Sequence, residues 1–207
     1  MRKLFDMNNP LMKALSIVAD LLFLNVLTLL ACLPILTVGP ALIALHDIVI
    51  RIVRNEEGYL AKPFFQAFAA NFKRGLVLSL ILLGAGGLLY ADYLAATAFI
   101  PPLRVGILAI ALLVLAWFFY VFALQARYEN TLGGTLKNAM LLAVGNFPRT
   151  LLMVVCAVGL WVACVTYYQF GVPILVLFGF SLPCYVNILL LNGVFRKLEG
   201  EEESEKR

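Results

Sequence analysis

Five apolar runs of about 20 residues, at 14–33, 75–95, 105–125, 150–168 and 173–194, leave this chain few ways to fold. At about 1.5 Å of rise per residue, each run crosses the roughly 30 Å of hydrocarbon in a bilayer if it is helical. A sixth run, 37–54, is the short one. Thr37, Val38, Gly39 and Pro40 break its start, and His46, Asp47 and Arg51 interrupt its apolar surface. It still crosses if Arg51 and Arg54 snorkel towards lipid headgroups. Composition agrees: 63% of residues are hydrophobic and the mean hydropathy is +0.95, which leaves too little polar surface to cover a water-soluble core. The expected fold is all-α, a polytopic transmembrane helical bundle of six spans. It forms one domain over 1–198, followed by an acidic, disordered cytoplasmic tail at 199–207.

Cations set the orientation. Fifteen of the sixteen Lys and Arg residues fall in alternate gaps between the runs, leaving Arg104 in the other set. Positively charged loops stay in the cytoplasm, so six crossings put both termini inside with a 15:1 ratio. Five crossings, with 37–54 not traversing, move Arg2, Lys3 and Lys13 outside and weaken the ratio to 12:4. Charge therefore favours six. The outer loops are then short and nearly chargeless, flanked by Tyr90, Tyr93, Tyr167 and Tyr168 in the manner of an interfacial aromatic belt. The cations are scattered and make no patch for nucleic acid.

Two segments read as amphipathic cytoplasmic elbow helices between spans. In the first, Phe64, Phe65, Phe68 and Phe72 share one helical face, Pro63 suits a first turn, and Asn71 precedes the next span. Such a face either anchors in the inner leaflet or docks a partner. The second elbow covers 132–146. Asn71-Phe72-Lys73-Arg74 and Asn146-Phe147-Pro148-Arg149 stand 75 residues apart in the same role, which suggests a duplicated helix pair.

Ionisable groups in hydrocarbon cost about 2.5–3.5 kcal/mol each on insertion scales, so each needs a partner or a watery site. Asp47 and Arg51, four residues apart, can pair on one face. His46 reads as a hydrogen-bonded core residue, and Asn25, Thr28, Asn187 and Asn192 as interhelical hydrogen-bonding groups. Asp20 has only Ser16 near it on its face, which makes it the candidate functional carboxylate. Gly87, Ala91 and Ala95 form a small-residue stripe, predicting close helix packing in a compact bundle. Cys32, Cys156, Cys164 and Cys184 lack metal-site spacing and read as small core hydrophobes. One His, no paired carboxylates within a span, no Gly-x-Ser-x-Gly and no nucleotide loop argue against an enzyme or a cofactor.

One series of motifs covers the first 75 residues or so. It runs Asp20-Leu21, Leu24-Asn25, Cys32-Leu33-Pro34-Ile35-Leu36-Thr37-Val38-Gly39-Pro40, Asn55-Glu56-Glu57 and Phe64-Phe65-x-x-Phe68-x-x-Asn71-Phe72-Lys73. In this order it resembles the YesL-like family of bacterial integral membrane proteins. The resemblance implies a multi-pass protein of the bacterial plasma membrane, and it carries over no catalytic residues. It also implies a genomic setting beside carbohydrate uptake transporters and two-component sensors. The expected function is therefore a non-enzymatic accessory subunit of carbohydrate uptake or its sensing, docked through the Phe-rich elbow onto a carbohydrate ABC transporter or sensor kinase. The alternative is a small-solute transporter or channel, with homo-oligomers compensating for few helices. It would use Asp20, Asn25, His46, Asp47, Arg51 and the break at Pro34, Thr37, Gly39 and Pro40. That break is either a plain turn or an unwound site whose free backbone groups bind a ligand.

Overall fold

The computed structural model describes residues 10–56, 58–99, 102–128 and 131–205. Among them lie the helices α1 (Pro10–Ala31), α2 (Val38–Val53), α3 (Ala61–Ala70), α4 (Phe72–Phe99), α5 (Leu103–Arg127), α6 (Leu132–Gly145), α7 (Phe147–Thr166), α8 (Tyr168–Phe178) and α9 (Ser181–Glu205). The described residues contain no strand. Five helices, α1, α2, α4, α5 and α7, are long and apolar enough to cross a membrane. The chain is an all-helical, multi-pass membrane protein.

Local chemistry sets the boundaries. After α1, Pro34 redirects the chain into one 3₁₀ turn, Ile35–Thr37. The Thr37 hydroxyl points back to the Ala31 and Pro34 carbonyls at 2.6 and 2.7 Å, and so covers the frayed end of α1. Helix α6 starts at Thr131, whose hydroxyl accepts the Gly134 N–H at 3.3 Å. Pro148 occupies the first turn of α7.

The run of doubtful length is the centre of the bundle. Helix α2 packs against α1, α3, α4, α5 and α9, and ten of its residues between Gly39 and Ile50 are buried. A helix apolar over most of its surface is stable in such a position, with Asp47 and Arg51 on the face left unpacked. Its first turn meets α4 backbone to backbone. The Gly39 N–H donates to Ser79 Oγ at 2.7 Å, and a Cβ on Gly75 would stand within 2.7 Å of the Pro40 nitrogen, Cα and Cδ. Gly75→Ala is therefore expected to cost about 1–3 kcal/mol through overpacking, read as a lower melting temperature in detergent.

This contact fixes which helix ends lie together. The start of α2 and, through Thr37, the end of α1 lie beside the start of α4. Residues 71–74 share a cavity with 125–128, so the end of α5 is there too. The starts of α7 and ends of α9 belong to the same end, since Tyr120 meets Thr150 at 2.9 Å and Gly193 faces the Arg149 guanidinium. The opposite end holds the α7–α8 junction, where Gly171 abuts Cys164. Helix α1 packs on α8, and Met12 stands about 28 Å along the helix from Ala31. Lys13 and Lys73 therefore lie at opposite ends of the bundle. The α2–α3 pair leaves and re-enters the same end, and so makes no net crossing.

That arrangement differs from the six-crossing reading, which puts both of those lysines and both termini on one side. Charge counting weighs loops alone and cannot register that two glycines allow a helix start to sit against another. The run 173–194 also differs: it is not one span but α8 and α9, parted at Gly179 and Phe180. The acidic segment expected to be disordered continues α9 as far as Glu205. Gly87 has nothing within 4 Å of a built Cβ, and Ala91 and Ala95 are exposed. The stripe thus faces outward, where apolar surface suits lipid.

Candidate functional site

The break between α8 and α9 needs partners for its free backbone groups, because hydrocarbon supplies none. One side chain from α1 provides them. Asn25, fully buried, accepts the N–H groups of Phe180 and Ser181 on Oδ1 at 2.8 and 3.0 Å, and its Nδ2 donates to the Val176 carbonyl at 2.7 Å. One amide thereby caps the end of α8 and the start of α9 together. Gly179 is required at the break, since a Cβ there would collide with the Leu175 carbonyl.

Beside this break lies a cavity of about 410 Å³, lined by α2, α4, α5, α7 and α9. Its wall is almost entirely apolar, from Leu42, Leu45, Leu82, Phe118, Phe122 and Trp161 among others. Trp161 stands edge-on to Phe180 at 6.1 Å, and His46 lies 6.1 Å from Phe122, so the rings hold each other in place. Two polar side chains interrupt this wall. His46 Nδ1 is 2.7 Å from the Leu42 carbonyl, where it serves as the donor; the neutral ring then keeps Nε2 as an acceptor. Nε2 is buried without a hydrogen-bond partner, and so are both amide atoms of Asn187. A buried polar group left unpaired costs about 1–3 kcal/mol, which makes three such atoms around one apolar space a feature to explain.

The residues singled out in the sequence part company. Asn25 and His46 belong to this central region. Asp47 and Arg51 form an i, i+4 ion pair at 3.2 Å on a partly exposed face, away from the cavity lining. Arg51→Gln should shift stability by no more than about 0.5 kcal/mol, as exposed pairs do. Asp20 is half-buried and makes no hydrogen bond or ion pair with the described residues. Pro34, Thr37, Gly39 and Pro40 form a turn whose Thr37 hydroxyl and Gly39 N–H are already bonded within the protein. On the first elbow Phe64 is fully buried and Phe68 half-buried, whereas Phe65 and Phe72 are exposed. Asn71 Nδ2 donates to the Ala67 carbonyl at 3.2 Å, closing α3. Among the described residues no cluster of three or more His, Cys, Asp or Glu side chains forms a metal set.

Residues 20–93, from Asp20 in α1 to Tyr93 in α4, match a family described as "Protein of unknown function, DUF624". The chain is also 28% identical to "Uncharacterized protein YesL" of Bacillus subtilis (strain 168), over 194 residues that cover 91% of each protein. The similarity to that protein extends over nearly the whole chain. No solved structure matches it. The family match takes in Asn25 and His46, while Asn187, Gly179 and Phe180 lie beyond it. The sequence did carry a signal for these residues: Gly179, Ser181 and Pro183 crowd the middle of one apolar run, as helix-breaking residues do.

Proposed function

We propose that this protein is a non-enzymatic membrane protein whose central cavity binds a small, mainly apolar molecule carrying one polar group. The observation behind this reading is the juxtaposition of His46 Nε2 and the Asn187 amide, all unpaired, in a ring-lined space of about 410 Å³ next to a broken helix. That volume lies within the roughly 300–1,000 Å³ common for ligand sites. A hydroxyl there donates to His46 Nε2 and accepts from Asn187 Nδ2, and a second donor group would pair Asn187 Oδ1. A free sugar does not suit the wall, because most of its hydroxyls would be buried without partners. Helices interrupted near the membrane midplane are a recurrent way to build such sites in transporters, so binding linked to transport or sensing is the fitting role.

The end of the bundle that holds Lys73, Arg74, Arg127 and Arg149 is taken as cytoplasmic on the positive-inside rule. The chain then starts outside and ends inside. An accessory role beside a carbohydrate transporter or sensor kinase remains compatible with this reading. Its docking surface would be the exposed rings of Phe65 and Phe72.

The test is a filled cavity. Ala157 is buried and lines the wall. Wild-type protein purified in mild detergent is expected to release a stoichiometric apolar small molecule on solvent extraction, detected by mass spectrometry. Ala157→Phe should lose it at least tenfold while still folding. Wild-type protein that carries nothing of the kind, from its native membrane, counts against the reading.

A further inference from the structure

A second cavity, of about 820 Å³, lies at the end of the bundle shared by α3, α4 and α5. Lys73, Arg74 and Arg127 contribute to its lining, and Asn71, Phe72, Ala126 and Tyr128 complete much of the rest. Among the described residues no carboxylate lines it. Along the sequence these cations mark sidedness. Their convergence from two helices is a separate observation, because Lys73 and Arg74 begin α4 while Arg127 ends α5.

The decisive group is Gln125. It is 3% exposed, yet it lines the same cavity. Its Oε1 accepts the Thr135 hydroxyl at 3.2 Å, which fixes the amide so that Nε2 is the free edge. Nε2 is buried with no hydrogen-bond partner. A buried N–H donor flanked by cations, at the end of membrane-crossing helices, is the donor set of an oxyanion site. The rim of Ala69, Ala70, Phe72 and Ala126 is apolar, which suits an anion joined to acyl chains better than one fully solvated.

We propose that Lys73, Arg74, Arg127 and Gln125 bind the phosphate group of an anionic phospholipid at this end of the bundle. The cations neutralise the phosphodiester, the Gln125 amide donates to one of its oxygens, and the acyl chains run along the exposed apolar face of α4. This site is independent of the central cavity and of what that cavity holds.

The experiment uses the full chain in a neutral detergent, titrated with phosphatidylglycerol, phosphatidylcholine or inorganic phosphate while its thermal unfolding is followed. Phosphatidylglycerol should raise the melting temperature saturably and phosphatidylcholine should not. Lys73→Gln combined with Arg74→Gln, both exposed, should fold normally and need roughly tenfold more phosphatidylglycerol for the same shift. Gln125→Glu, which keeps the shape but removes the donor and adds a charge, should abolish the shift. An unchanged titration in the double variant overturns the proposal, as does an equal response to phosphatidylcholine. A shift with inorganic phosphate and none with phosphatidylglycerol assigns the cavity to a soluble phosphate and overturns the lipid.

Discussion

Asn25→Leu should be among the most damaging single changes in this protein. Leucine keeps the branching at Cγ, though with bulkier methyl groups, and raises the hydrophobicity of α1, so a scale of membrane insertion scores it as an improvement. It strands three backbone groups, however: the N–H of Phe180, the N–H of Ser181 and the carbonyl of Val176. At about 1–2 kcal/mol for each unpaired group in an apolar setting, the loss sums to roughly 3–6 kcal/mol. For a chain of this size that is a fall of roughly 10 °C in melting temperature. Thermal unfolding in detergent measures it. Asn25→Asp separates the two halves of the cap, because a carboxylate still accepts from Phe180 and Ser181 but cannot donate to Val176. A leucine variant as stable as wild type would sink this account of the helix break.

The second large effect is qualitative. On a cysteine-free background, a single cysteine placed at Lys13 should react with an impermeant thiol reagent added to intact cells, and one placed at Lys73 should not. The reason is geometric: Ala31 is tied through Thr37 and Gly39 to Ser79, so the two ends of α1 straddle the bundle with Lys13 remote from Lys73. A cysteine at Arg104, in the first turn of α5, should label like Lys13. Protection at Lys13 together with labelling at Arg104 would restore the six-crossing arrangement.

Much of the fold could be read from residue patterns, and the reasons are specific. Helices α1, α4, α5 and α7 follow from unbroken apolar length, and α3 from Pro63 with the spaced Phe residues. The face of α3 was harder, because Phe64 and Phe65 point about 100° apart on a helix, and only the first can enter the core. The central site was mostly hidden. Hydropathy averaged over about 20 residues passes straight through Gly179 and Phe180, and the partner that makes their break tolerable is Asn25, more than 150 residues away. His46 and Asn187 look like ordinary polar residues of a bundle until two helices from opposite ends of the sequence bring them to one wall. Which helix ends lie together is illegible for a related reason: a contact between Gly39 and Gly75 leaves no mark on a charge count.

The way Asn25 holds the break sets how it can open. A hinge with separate caps loosens in stages, one helix end at a time. Here a single planar amide serves both ends, accepting from Phe180 and from Ser181 at the start of α9 with its oxygen and donating to α8 with its nitrogen. Withdrawing it frees both at once, and half-withdrawal satisfies neither, so intermediate positions are the least stable. The junction is in effect a latch with two settings and no dial between them. Because Phe180 is both held by Asn25 and part of the cavity wall, any release of that amide would reshape the cavity as well.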